Sequence, residues 1–152
     1  MWALLPPALT DALAGEAIRK NIGNRGEIYS YHLERLSANL ASDIVWVARD
    51  DSNLGYDIED RSTAPRRRIE VKASGGMRVR FLLSDNEWRK AHDEPDQYEI
   101  HFWGGIDLNC DAADEYSKLR AAGYPLVFKD LPSLLAGGQL KAEPTKWRVS
   151  QT

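Results

Sequence analysis

The sequence predicts one domain of mixed α/β class, and three observations carry that expectation. A helical apolar period runs from about Arg25 to Ala41. Short runs rich in β-branched and aromatic residues then occupy the stretch from Asp43 to Leu83. A helix-start pattern at Ser84-Asp-Asn-Glu87 follows, and behind it another apolar run at Tyr98 to Trp103. The order helix, strands, helix, strand, with smaller elements after, is that of helices covering a sheet. A length of 152 residues fits a single domain, 1–152, with an N-terminal helix at about 8–20, a core at about 21–103 and C-terminal elements at about 104–152.

Taken in order, Leu9, Leu13, Ala17 and Ile18 suit a short amphipathic helix from Ala8 to Lys20, and the glycines of Asn21 to Gly26 predict a break. The second helix carries Ile28, Tyr31, Leu33, Leu36 and Leu40 as its apolar set. Asp43 to Arg49 predicts a strand, and a polar turn from Asp50 to Gly55 leads into another at Tyr56-Asp-Ile-Glu59. Arg67 to Ala73 alternates cleanly; Ser74-Gly-Gly76 reads as a hairpin turn into a fourth strand, Arg78 to Leu83. A helix at Asp85 to His92 and a strand at Tyr98 to Trp103 come next. Beyond Gly104 the pattern predicts a helix at Asp111 to Ala122, a strand at Pro125 to Lys129, a helical turn at Leu131 to Ala136 and a terminal strand at Trp147-Arg-Val149.

Composition narrows the function. Twenty Lys and Arg against 23 Asp and Glu give a net charge of -3, which argues against a protein held to nucleic acid by global charge. The charges are segregated, however. Between Arg61 and Arg80 seven basic residues face one acid, Glu70. The single cysteine, Cys110, excludes an internal disulfide, and His32, His92 and His101 are too scattered for a zinc site. No apolar run reaches bilayer length, so no membrane partner is expected. Met1 to Leu5 lacks a basic leader, which makes a reducing, cytoplasmic address the default. No nucleotide-binding motif is present.

The most informative segment is Ile69-Glu-Val-Lys72. Strand alternation puts Arg68, Glu70 and Lys72 on one face, and Ile69, Val71 and Ala73 on the other. If the preceding strand pairs with it through the Glu59 to Arg66 connection, Asp57 lies close to Glu70. Neighbouring carboxylates repel unless a cation neutralises them, and a hard ion such as Mg²⁺ (or Mn²⁺) does so through oxygen ligands. A lysine beside it can acidify an attacking water or stabilise a pentacovalent phosphate. Asp57, Glu70 and Lys72 therefore suit metal-assisted phosphodiester hydrolysis. The same alternation also suits a solvated strand with a cross-strand ion pair.

Four segments, Asn24-Arg-Gly-Glu27, Gly55-Tyr-Asp-Ile58, Ile69-Glu-Val-Lys-Ala-Ser74 and Phe81-Leu-Leu-Ser-Asp-Asn-Glu-Trp88, resemble a PD-(D/E)XK nuclease-like domain. More narrowly they resemble the domain of unknown function at the C-terminus of the plant protein NO VEIN, found also in bacterial defence and restriction proteins. The similarity covers about Asn21 to Trp103, with a looser match through Pro125 to Val149. The resemblance implies a restriction-endonuclease-like core of one helix, a three-strand meander, a second helix and another strand. It also implies Asp57 and Glu70 as metal ligands, Lys72 orienting or activating water, and Glu27 as a helix-borne acid that helps hold the metal. One departure is Tyr56, where the family pattern has proline.

Other residues have plainer expectations. Ser84 and Glu87 form a capping box, Trp88 packs under the sheet, and His101 lies on a solvent or groove side. Cys110 is a packing residue, while Trp2, Trp46, Trp103 and Trp147 belong to core or interface. Arg66, Arg67 and Arg68, with Arg78 and Arg80 across the hairpin, form either a phosphate-binding face or an ordinary basic surface. The expected function is a Mg²⁺-dependent endonuclease acting on DNA in defence or restriction. Two partners are implied by resemblance alone: a second copy of the chain, and a helicase or specificity subunit. The alternative is an inactive nuclease-fold module that binds DNA or a protein.

Overall fold

The computed structural model describes residues 7–49 and 53–145. The chain runs α1 (Pro7–Ser37), β1 (Ile44–Trp46), β2 (Ile58–Asp60), β3 (Arg67–Ala73), α2 (Asp85–Asp93), β4 (Tyr98–Trp103), α3 (Ala112–Ala121), β5 (Leu126–Lys129) and α4 (Leu131–Ala136). The strands form one sheet in the order β1-β2-β3-β4-β5. All neighbours pair antiparallel except β3 and β4, which run parallel, with Glu70 opposite Ile100 and Lys72 opposite Phe102. A parallel pair needs a long crossover, and 74–97, including α2, supplies it. The mixed α/β expectation holds. Trp2 and the terminal strand expected at Trp147-Arg-Val149 lie outside the described residues.

Helices cover both faces of the sheet. α1 lies on the Arg67, Ile69, Val71 and Ala73 face of β3, where a Cβ added to Gly26 would come within 2.7 Å of the Ala73 Cβ. α2 lies on the other face, where Glu87 meets Lys72 and Glu94 meets Arg68. Ile58, Ile69, Ile100, Phe102 and Trp103 are wholly buried between these layers. Each such side chain contributes roughly 1.5–3 kcal/mol of burial free energy.

Two expectations about α1 are corrected. It is one helix, continuous through Gly23 and Gly26, where the glycines predicted a break between two. Glycine costs only about 1 kcal/mol in a helix interior. At position 26 the missing side chain lets the helix approach β3 closely, so tertiary packing outweighs propensity. The buried stripe also differs: Gly26, Tyr29, Ser30 and Glu34 face inward, while Ile28, Leu36 and Leu40 are exposed. Polar residues can occupy that stripe because the sheet opposite supplies hydrogen-bonding partners.

The expected fourth strand, Arg78 to Leu83, is not a strand, and Ser74-Gly-Gly76 does not turn a hairpin. β4 pairs with one edge of β3 from Arg68 to Ala73, whereas β2 pairs with the other only as far as Ile69. The chain after Ala73 instead follows the end of β4: the Ser74 N–H donates to the Trp103 carbonyl at 2.9 Å, and the Gly105 N–H to that of Gly76 at 3.0 Å. β1 is also shorter than expected and ends in a 3₁₀ turn at Val47–Arg49. β3, α2 and β4 form where alternation and capping predicted them, as do the three elements of the described C-terminal part.

Candidate active site

β2 pairs with β3 only as far as Ile58 opposite Ile69. From Glu70 onward no strand of the described residues pairs with β3 on that side, which leaves an opening in the sheet. Asp57 stands at its border. Its main-chain N–H donates to the Ile69 carbonyl at 2.8 Å, and its own carbonyl accepts from Ala48. In place of a ladder bond, its carboxylate Oδ2 accepts the Val71 N–H at 2.8 Å. The Asp57 side chain is thereby locked onto β3 between Glu70 and Lys72.

Four acids gather around one ammonium here. Lys72 Nζ lies 3.2 Å from Glu70 Oε1 and donates to Glu87 Oε1 at 2.8 Å. Glu27 reaches in from α1 and accepts the Trp46 indole N–H at 3.0 Å. Burial, reinforced by the charge of Glu27, pushes the Asp57 carboxyl up to about 7. Burial and the charge of Asp57 hold Glu70 well above the usual carboxylate range. Burial raises Glu27 too. For Glu87 the burial effect is outweighed by Lys72, which holds it low; for Lys72 it is outweighed by Glu70 and Glu87, which hold it high. Full ionisation would leave the site with more negative charge than Lys72 neutralises, and the three carboxyls that resist it are Glu27, Asp57 and Glu70.

Glu27, Asp57, Glu70 and Lys72 are therefore brought together, and Glu87 joins them. The sequence predicts helix capping for Glu87, and that cap is present: Ser84 accepts from the Glu87 N–H, and Glu87 accepts from that of Ser84. Nothing local to Ser84-Asp-Asn-Glu87 tells that the same carboxylate lies over Lys72.

The arginines are not brought to the site as one face. Arg67 lies on the opposite side of β3, ion-paired with Glu34, Asp60 and Glu99. Arg68 pairs with Glu94 and stacks over the Tyr56 ring, and Arg66 meets Glu59. Arg78 and Arg80 are exposed and alternate with half-buried Val79 and Phe81 in the segment between β3 and α2, although no strand forms there. Tyr56, in the place of the family's proline, donates to Glu59.

Two further expectations are corrected. His101 is buried; its Nδ1 lies 3.1 Å from Ser30 Oγ and its Nε2 3.0 Å from Glu99 Oε1. β4 is an interior strand of a sheet with helices on both faces, and all six of its residues are buried. Trp88 is 39% exposed beside His92, on the outer side of α2 rather than beneath the sheet. Glu34, Glu99 and His101 bring ligand atoms within 4.8 Å of one another. Arg67 donates to both glutamates there, so a guanidinium already supplies the cation. Among the described residues Glu27, Asp57 and Glu70 are not drawn together as tightly as that group, and Lys72 is the cation that offsets them.

Fold and site define a mixed α/β domain with an acidic, lysine-containing opening at one end of its sheet. The chain belongs to the family described as Protein NO VEIN, C-terminal, whose model matches residues 26–102, from Gly26 on α1 to Phe102 on β4. Glu27, Asp57, Glu70, Lys72 and Glu87 all fall within that span. No curated protein and no solved structure matches the chain. No helix among the described residues is long and apolar enough to cross a membrane.

Proposed function

We propose that the chain is a divalent-cation-dependent endonuclease domain of the PD-(D/E)XK type that hydrolyses DNA phosphodiester bonds, in a defence or restriction setting. The observation that carries this is the excess of carboxylate at one opening: Glu27, Asp57 and Glu70 are all held above their ordinary range beside a single ammonium. Such a donor set, all hard oxygen, fits Mg²⁺ or Mn²⁺. Asp57 and Glu70 would hold the ion, with Glu27 steadied by Trp46 as the third acid. When bound, the ion supplies positive charge to the phosphate and acidifies water.

The chain's own residues limit the rest of the chemistry. Lys72 is clamped by two carboxylates and stays protonated, so it serves as a fixed donor and not as a base. An ammonium has three N–H donors, and two carboxylates leave one for water or a phosphate oxygen. Arg67 and Arg68 are engaged in ion pairs, so exposed Arg78 and Arg80 are the arginines offered to a DNA backbone.

The test is incubation of the chain with plasmid, linear duplex and single-stranded DNA, in Mg²⁺, Mn²⁺ or EDTA, beside Lys72→Ala and Asp57→Ala. The expected result is cation-dependent cleavage that falls by at least about 100-fold in both variants. Cleavage that survives both substitutions, or that proceeds in EDTA, removes the assignment. Salt-sensitive DNA binding with no cleavage would instead make the chain a binding module.

A further inference from the structure

Glu87 meets two demands with one oxygen. Its Oε1 accepts the Ser84 N–H at 3.0 Å, closing the capping box, and the Lys72 ammonium at 2.8 Å. Ser84 Oγ accepts the Glu87 N–H at 3.2 Å, so the cap fixes the residue from both ends. α2 is the crossover between the parallel strands β3 and β4, and its first turn is thereby set over the Lys72 face of β3. A capping box is satisfied equally by glutamine. Holding an ammonium among acids is not, because that requires charge.

Glu70 faces competing claims, since its carboxylate lies at Lys72 and beside Asp57. An ammonium paired with Glu70 alone would be released whenever those oxygens turn to a divalent ion. We infer that Glu87 is a positioning residue: it keeps Lys72 at the opening while Glu70 serves the cation, and so aims the remaining ammonium N–H at water or phosphate. The inference rests on the nuclease proposal for its catalytic consequence, but the clamp itself is measurable without DNA.

The experiment uses the full chain with Glu87→Gln, which keeps the cap and removes the charge, and Ser84→Ala, which weakens the cap and keeps the charge. Three readouts are taken: thermal unfolding, the ¹⁵N NMR signal of the ordered Lys72 ammonium (assigned by its loss in Lys72→Arg), and kcat and KM for Mg²⁺-dependent DNA cleavage. Glu87→Gln should melt close to the wild type, lose the ammonium signal, and lower kcat by about 10- to 100-fold with KM within about twofold. Ser84→Ala should melt lower yet keep both the signal and kcat. The inference is overturned if Glu87→Gln retains signal and rate, or if Ser84→Ala loses them to the same extent. A wild type that cleaves no DNA removes the nuclease proposal; the ammonium signal then decides the clamp alone.

Discussion

Replacing Asp57 by asparagine should stabilise the cation-free protein. The amide keeps an oxygen to accept the Val71 N–H, so the link to β3 survives while the charge is deleted. A carboxyl whose folded-state pKa lies above its unfolded value lowers stability once it ionises. For Asp57 the penalty is absent below its ordinary value of 3.8, grows as pH rises, and is complete above about 7. At about 1.4 kcal/mol per pH unit, that rise amounts to roughly 4 kcal/mol. Asp57 retains some solvent access, so roughly 2–4 kcal/mol is expected. Urea unfolding followed by tryptophan fluorescence, in EDTA, measures it. At pH 8 Asp57→Asn should exceed the wild type by that amount, and near pH 4.5 by only about 1 kcal/mol. Adding Mg²⁺ at pH 8 should stabilise the wild type and leave the variant unchanged. A variant less stable than the wild type at pH 8 in EDTA, or a gap that ignores pH, would refute the argument that charge crowding governs this site.

Two further substitutions probe what holds the site's frame. Gly26→Ala would improve helix propensity by about 1 kcal/mol on an isolated helix. Here it should destabilise by about 1–3 kcal/mol in chemical denaturation, because the new methyl meets the Ala73 Cβ; a gain would mean that α1 does not need the close approach. Arg67→Met removes the cation among Glu34, Asp60 and Glu99 and should cost about 3 kcal/mol at neutral pH. The loss should shrink in acid as Asp60 and Glu99 protonate, and a pH-independent loss would assign Arg67 to packing alone.

Much of the site was legible because its signals are short-range. Alternation along Arg67 to Ala73 placed Glu70 and Lys72 on one face, and that face is where they lie. Asp57 could be set opposite Glu70 once an antiparallel connection was assumed, and the carboxylate bond to Val71 reflects that proximity. Glu87 was legible as a cap but not as a partner of Lys72, since the contact spans 15 residues across a parallel crossover. The arginines misled for a related reason. Arg66, Arg67 and Arg68 form one basic run in sequence, but alternation sends Arg67 to the α1 face, where it meets three acids from α1, β2 and β4.

Local chemistry in the chain determined β3, the capped start of α2, β4 and the elements that follow, because alternation and capping are complete within a few residues. Tertiary contact decided that the chain after Ala73 follows the end of β4, and hence that Arg78 to Leu83 does not pair back onto β3. It also decided that α1 runs unbroken through Gly26, and that His101 is enclosed between α1 and the sheet. The reason is physical: pairing a strand edge, seating a helix on a backbone or burying an imidazole depends on groups distant in sequence, and their free energies exceed the roughly 1 kcal/mol preferences that single residues express.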